Sequence, residues 1–418
     1  MKTLLRGHLK KKLAEFATQR LSNAATRPTI ITITGSVGKT GTKEAIATAL
    51  GKEDVLVSEG NYNTAFGVPL TILGLKGGGG SFSEWKRILA EAKEIAETPW
   101  EDVPKYLVLE LAVDHPGDME ELREIVTPDI AVITPIPNMP VHGKFFPSAE
   151  ELAEEKGKMI KNVAEGTAFL AGSEPLTTAL ARGTGMKTLT YGMATGDDVQ
   201  MTEPELLIDE RGPYGLSGKV VLDGATVPMR LNRVIAPTQF LAAGVALAVA
   251  NAAGQNPVEV LARLEDWEPP QRRMQLKRTV EGMAIIDDTY NASPVAVRAA
   301  LNFMKEFPVL GRRIAVLGDM RELDSAIEEQ AHTEVGKLAA SSVDLLIAVG
   351  ERRSWLADAA NKAGGEAREA EDKEAVAREL AALELTKEDA VLFKASRAIG
   401  LDEVVDALTR TPSSKTAV

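Results

Sequence analysis

The sequence predicts an α/β protein with two successive units. The first has a mostly parallel sheet and a small antiparallel patch, and the second has a largely parallel sheet. Three observations predict this. A β-branched run at 29–34 passes through a glycine turn into the helix-forming stretch 43–50, which is the order strand, turn, helix. Apolar runs at 106–109, 130–134, 283–286, 313–318, 344–349 and 390–393 end in polar loops with helical sequence between them, the alternation expected of parallel βα units. Between 187 and 235, short alternating segments such as 218–222 and 226–231 are divided by glycine and aspartate turns, the texture of antiparallel strands.

Composition narrows the class. A chain of 418 residues has room for two or three cores. With 44% hydrophobic and 26% charged residues it reads as an ordinary soluble globular protein. A net charge of -12 argues against a nucleic-acid partner, because affinity for a phosphate backbone rests on lysine and arginine stripes. The absence of cysteine excludes disulfides, thiolate metal sites and a cysteine nucleophile. No apolar run approaches the roughly 20 residues that span a bilayer, and no signal peptide opens the chain, so the expected location is cytoplasmic.

Residues 1–27 hold seven Lys and Arg against the single acid Glu15, with Leu4, Leu5, Leu9, Leu13, Phe16 and Leu21 at roughly helical spacing. This predicts a basic amphipathic helix that either packs on the next unit, the commoner use, or lies on anionic lipid. Residues 28–270 form the central domain. In it, Gly35, Ser36, Val37, Gly38, Lys39 and Thr40 make a strand-to-helix turn whose backbone N–H groups can curl round a phosphate, a P-loop in a shortened form. Lys39 supplies a charge there and Thr40 a hydroxyl for Mg²⁺. The loop 60–69 carries Asn61 and Asn63, which serve either as turn formers or as site residues.

Glu110 ends a buried-strand run, at the edge of a parallel sheet where ligands sit, and is a candidate Mg²⁺ ligand. His142 follows the next strand in a loop, where a histidine is either a surface residue or a ligand. Ser148 to Glu151 forms a capping box that starts a helix reaching about Val163. On its apolar stripe Lys156 stands between Leu152 and Ile160. Either its stem packs and its ammonium reaches water, or poor solvation lowers its pKa and makes the amine reactive toward CO₂ or an electrophile. The alanine-rich run 239–253 predicts a buried helix, and Glu268-Pro269-Pro270 a linker. Residues 271–418 form the C-terminal domain, and 411–418 read as a tail.

Together, TGSVGKT at 34–40, GNYNTAFGVP at 60–69, LELAVDHPGD at 109–118, EEKGK at 154–158, RRMQ at 272–275, IIDDTYNASP at 285–294, LGDMREL at 317–323 and KASR at 394–397 resemble the motifs of the Mur ligase family. The resemblance implies a Rossmann-like C-terminal domain and an ATP-dependent amide ligase working through an acyl phosphate. Within the family it points to the branch that adds D-alanyl-D-alanine to a peptidoglycan precursor. The alternatives are a ligase for another acid, as in folate, cyanophycin or tetrapyrrole chemistry, or a nucleotide-binding subunit without turnover. The resemblance further implies ATP and Mg²⁺ as cofactors and small acids and amines as partners. Glu110, His142 and Lys156, the last as a carbamate, would surround the metals with Thr40. Arg273, Asp288 and Asn291 would contact the nucleotide, and Asp319, Lys394, Ser396 and Arg397 would receive the amine. Two departures stand out: the family's UDP-binding N-terminal domain has only the basic helix in its place, and its histidine-asparagine pair is replaced by Ala236-Pro237-Thr238-Gln239.

Overall fold

The apolar runs become strands that are buried on both faces, which is why they lack the alternation of a half-exposed sheet. The computed structural model describes residues 2–138, 145–321 and 323–410. Nine strands make the first sheet: β1 (Thr29–Thr34), β2 (Val55–Val57), β3 (Tyr106–Glu110), β4 (Ile130–Ile133), β5 (Thr167–Ala171), β6 (Lys187–Gly192), β7 (Val199–Asp209), β8 (Gly212–Leu222) and β9 (Ala225–Leu231). They lie in the order β2-β3-β1-β4-β5-β6-β7-β8-β9, parallel as far as β7 and antiparallel from β7 to β9. The antiparallel part therefore starts at 199 rather than 187, because β6 pairs in parallel with β5.

Helices cover both faces of this sheet: α1 (Lys2–Ser22), α2 (Lys39–Leu50), α3 (Gly67–Leu73), α4 (Phe82–Glu97), α5 (Asp118–Arg123), α6 (Ala149–Gly157), α7 (Pro175–Ala179), α8 (Pro237–Ala252) and α9 (Pro257–Glu265). The two-residue period of β1 and β3 divides the core. Ile31, Ile33 and Val108 face Ile46 of α2 and Phe240 and Val245 of α8, whereas Ile30, Leu107 and Leu109 face Leu13 of α1, Ile88 of α4 and Leu152 of α6. Ser148 caps α6 by accepting the Glu151 amide at 3.2 Å, but the helix stops at Gly157 instead of running to Val163. The buried stripe nevertheless continues through Ile160 and Val163 in the turns that follow.

The second sheet contains β10 (Gln275–Arg278), β11 (Ala284–Asp287), β12 (Arg313–Gly318), β13 (Leu345–Val349), β14 (Ala367–Ala370) and β15 (Ala390–Lys394) in the order β10-β11-β15-β12-β13-β14. Only β10 is antiparallel to its neighbour. α10 (Pro294–Glu306), α11 (Ser325–Ala339), α12 (Arg353–Lys362), α13 (Lys373–Ala382) and α14 (Leu401–Thr409) cover its faces. Ser293, with Pro294 behind it, starts α10, and Asp372 caps α13.

The N-terminal helix uses its apolar face on the protein. Leu13 and Ala17 are fully buried against the first unit, and the Arg20 guanidinium lies 4.6 Å from the Trp100 ring. Among the described residues, no helix is long and apolar enough to cross a membrane. Leu13→Ala should cost about 2–5 kcal/mol in urea unfolding, the range for a leucine truncated in a closed core. A loss below about 0.5 kcal/mol would show that α1 is not docked as described.

Candidate active site

The carboxyl end of β1 runs into a turn that only glycine can make. Gly35 has φ 137°, and a Cβ there would lie 2.1 Å from Thr134 Oγ1; Gly38 has φ 88°. The turn delivers the chain to the N-terminus of α2, whose first-turn amides point out of the helix with no intrahelical acceptor. The Ser36 and Val37 amides instead donate to the Pro135 carbonyl at 3.1 and 3.3 Å. Lys39 Nζ folds back to the Gly35 carbonyl at 2.9 Å, and Ser36 Oγ is buried without a hydrogen-bond partner. An orphaned buried hydroxyl beside a lysine and a helix N-terminus fits a phosphate oxygen well.

Thr40 is where the chain's distant parts converge. Its hydroxyl donates to Glu110 Oε2 at 3.0 Å, and the Arg273 Nη2 donates to it at 3.3 Å from beyond the linker. Asn63 Nδ2 donates to Glu110 Oε1 at 2.9 Å, so its amide steadies the carboxylate, while Asn61 is exposed in the turn. Glu110 itself is buried. Among the described residues, no group of three or more acids or histidines could hold a metal ion by itself. A carboxylate and a hydroxyl at a phosphate loop still match the way Mg²⁺ is bound, by one or two protein oxygens with phosphate oxygens and water completing the shell. His142 lies outside the described residues.

Lys156 is almost wholly enclosed on α6. Burial first, and then the charge of Lys39, hold its ammonium well below the usual lysine range, against smaller opposite pulls from Asp114, Glu110 and Glu155. The neighbouring Glu155 accepts the Gly117 and Met119 amides at 3.0 Å each, fixing the loop that follows β3. Lowering the pKa of a lysine raises its share of neutral, nucleophilic amine.

The second unit brings its predicted residues together but spends several of them internally. Lys394 Nζ, buried, bonds Asp288 Oδ2 at 2.6 Å and the Asn291 carbonyl at 2.9 Å; Asp288 Oδ1 accepts the Met274 amide at 3.2 Å. Burial pushes the Asp288 carboxyl upward although Lys394 and Arg273 pull it down. Asp319 is fully buried, and its carboxylate accepts the Glu351 and Arg352 amides at 3.2 and 2.9 Å. Ser396 Oγ accepts the Arg321 amide at 2.9 Å. Asp319, Lys394 and Ser396 order the loops after β11, β12, β13 and β15 through these bonds. Arg397 is exposed and lines a charged cavity of about 600 Å³ together with Arg321, Arg353, Lys373 and Glu403.

Sequence reasoning passed over four residues that matter here. Tyr290 sits inside the 285–294 motif and stacks under Arg273, with the guanidinium carbon 4.0 Å from the ring centroid and that of Arg397 5.8 Å away. Arg321 lies in the 317–323 motif and faces the cavity. Gln239 carried no signal beyond departing from a pattern. His332 is a lone histidine on α11: its Nε2 accepts the Met320 amide at 3.0 Å, and its Nδ1 is 2.7 Å from the Glu328 carbonyl, to which it donates.

A model of the Mur ligase middle domain matches residues 87–212, and one of the Mur ligase glutamate ligase domain matches 272–397. The UDP-N-acetylmuramoyl-tripeptide–D-alanyl-D-alanine ligase of Bacillus subtilis is 30% identical over 411 residues, covering 96% of this chain and 80% of that one. The enzyme of the same name from Mycobacterium tuberculosis is 32% identical over 404 residues, covering 91% and 72%. Among solved structures, MurF ligase from Thermotoga maritima in complex with ADP superposes with a TM-score of 0.77 at 26% identity, covering 96% of this chain and 83% of that one.

Burial lowers the pKa of His332, while the Asp319 charge and the Glu328 carbonyl oppose the shift and Arg352 adds to it. A buried imidazole held neutral contributes stability that is fully present above its unfolded pKa of about 6.5 and is lost as pH falls through the lower folded value. Thermal melts from pH 7 to 5 should therefore fall more steeply for the native protein than for His332→Gln, which accepts the Met320 amide without titrating. Parallel curves would sink this assignment.

Proposed function

The chain belongs to the Mur ligase family, and from that premise we propose that it is the ATP-dependent ligase that joins D-alanyl-D-alanine to UDP-N-acetylmuramoyl-tripeptide in peptidoglycan synthesis. Its relatives of that name match it across nearly the whole chain. The single observation that carries the chemical reading is the Thr40 junction. An acid from the first sheet and an arginine from beyond the linker meet on one hydroxyl at the phosphate loop.

In this reading the terminal carboxylate of the tripeptide attacks the γ-phosphorus of ATP. The bond to the β–γ bridging oxygen breaks, ADP departs and an acyl phosphate forms. The dipeptide amine then attacks the acyl carbon and loses a proton, and phosphate leaves. Lys39 and the first-turn amides of α2 hold the β- and γ-phosphates, where fixed charges act most strongly once water is excluded. Thr40 and Glu110 would hold one Mg²⁺ and His142 a second, and magnesium supplies neutralisation of the phosphoryl oxygens when bound. Asn63 orients Glu110 by its hydrogen bond. Arg273, stacked on Tyr290, brings positive charge to the phosphate end, and Asp288 and Asn291, in the loop that follows β11, would contact the nucleotide.

Lys156 supports the same reading. A neutral amine attacks CO₂, forms an N–C bond and releases a proton, and the product is a carbamate anion in place of a cation. The lowered pKa of Lys156 makes that step available, and the carbamate would suit a metal beside Glu110. The dipeptide is received on the face formed by Arg321 and Arg397, which Asp319, Lys394 and Ser396 hold in place.

Phosphate release with the UDP-tripeptide, D-alanyl-D-alanine and ATP, together with the mass of the joined product, tests the assignment. Absence of product and of UDP-tripeptide binding at millimolar concentration, with coupling of another acid, would transfer the protein to the other-acid branch. Lys39→Ala should lower turnover by at least about 10²–10³-fold, the usual loss for one electrostatic contact to a transition state. Lys156→Ala should lose activity and regain part of it with formate or acetate, which can take the carbamate's place. Full activity without them would end the carbamate reading.

A further inference from the structure

Gln239 stands in the stretch where the sequence departs from the family pattern, at the third position of α8, and it is mostly enclosed. Its side-chain amide is fully employed. Oε1 accepts the Ala236 amide at 3.2 Å, and Nε2 donates to the carbonyls of Arg273 at 2.8 Å and Met274 at 3.3 Å. Since an amide nitrogen has two hydrogens, both are spent on the segment beyond the linker, and the oxygen fixes which way the group faces.

The segment it grips needs holding. Arg272 and Met274 have φ of 63° and 49°, left-handed values that are strained for residues with a side chain. Such a conformation persists only where its surroundings over-determine it. The Arg272 amide donates to Gln275 Oε1 at 3.1 Å, the Tyr290 amide donates to the Arg272 carbonyl at 3.0 Å, and the Met274 amide donates to Asp288 at 3.2 Å. Those partners all belong to the second unit, whereas Gln239 belongs to the first. Between the two strained residues is Arg273, whose side chain crosses back to Thr40 at the phosphate loop.

We propose that Gln239 is a positioning residue of the nucleotide site: by gripping the Arg273 and Met274 carbonyls from α8, it sets the backbone from which the Arg273 guanidinium reaches the phosphate loop. This rests on the reading of residues 34–40 as the ATP site. Without the grip, the strained backbone relaxes and Arg273 leaves Thr40, so nucleotide affinity falls while the two cores are untouched. The effect acts through Arg273 and disappears where Arg273 has no charge to place.

The test uses the full chain and a double-mutant cycle, with ADP binding by calorimetry and KM for ATP as readouts. Gln239→Met keeps the volume and removes the bonds, and should weaken ADP binding and raise KM on the order of 10-fold, the effect of losing one to two hydrogen bonds. It should also lower the melting temperature, because the Ala236 amide and the two carbonyls lose their partner, so binding is compared at a temperature where each variant is fully folded. Gln239→Asn, one methylene too short to reach the Arg273 carbonyl, should do the same and serves if the Met variant does not fold. In Arg273→Ala, adding Gln239→Met should cost nothing further, the signature of coupled residues. Additive losses, or ADP binding by both Gln239 variants equal to the native protein's, would overturn the proposal. Lys39→Ala separates this from the premise: if it binds ADP as the native protein does, the ATP-site reading falls; if it loses ADP while the Gln239 variants keep it, only the role of Gln239 falls.

Discussion

The hydroxyl of Thr40 is the point on which the molecule's arrangement depends. It stands at the first turn of α2 because Gly35 and Gly38 let the chain turn there, and it receives Arg273 from beyond the linker while donating to Glu110. Two sheets, whose cores meet where Ile235 and Leu206 of the first unit pack against the second, share this contact. Beside that apolar seam the Arg273–Thr40 contact is polar and 3.3 Å long, so it can change partners without opening a core. That suits a reaction whose intermediate must be formed and then shielded from water.

Around this point the protein keeps charge in poorly solvated places and compensates for it in different ways. Glu110 is steadied by two neutral donors, Asp288 by the Lys394 ammonium, and Asp319 by two backbone amides. Buried carboxylates bonded in this way are fixed dipole partners, and their cost is offset only while every bond is kept. Lys156 is the contrasting case, a lysine on which burial and a like charge act in the same direction. The second unit thus divides its polar residues into an enclosed set that shapes the loops after β11, β12, β13 and β15 and an exposed set, Arg321 and Arg397, that meets solvent in the cavity.

Much of the fold is legible in local pattern. The runs at β1, β3, β4, β12, β13 and β15 are apolar without alternation because parallel strands are covered on both faces, and the switch to alternation marks β7 to β9. The glycine turn at 35–38 is equally legible, since its glycines answer a backbone requirement that any reader of φ preferences can state. Pattern fails where pairing decides. β6 looks like its antiparallel neighbours but pairs in parallel with β5, and α6 ends at Gly157, well short of Val163, although its buried stripe continues in the turns beyond it.

By itself the sequence determined which chemistry is available: a lysine and a hydroxyl at a glycine turn, an acid at a strand end, a lysine on an apolar stripe, and the family to which the motifs belong. Each of these depends on a residue and its near neighbours along the chain. The tertiary structure alone decided which polar atoms stay available. Asp319, Lys394 and Ser396 are turned inward, Asn63 is assigned to Glu110, and Gln239 is tied to a segment 34 residues away. Hydrogen-bond capacity is used up by whichever partner folding brings near, and for those atoms the partner lies far along the chain.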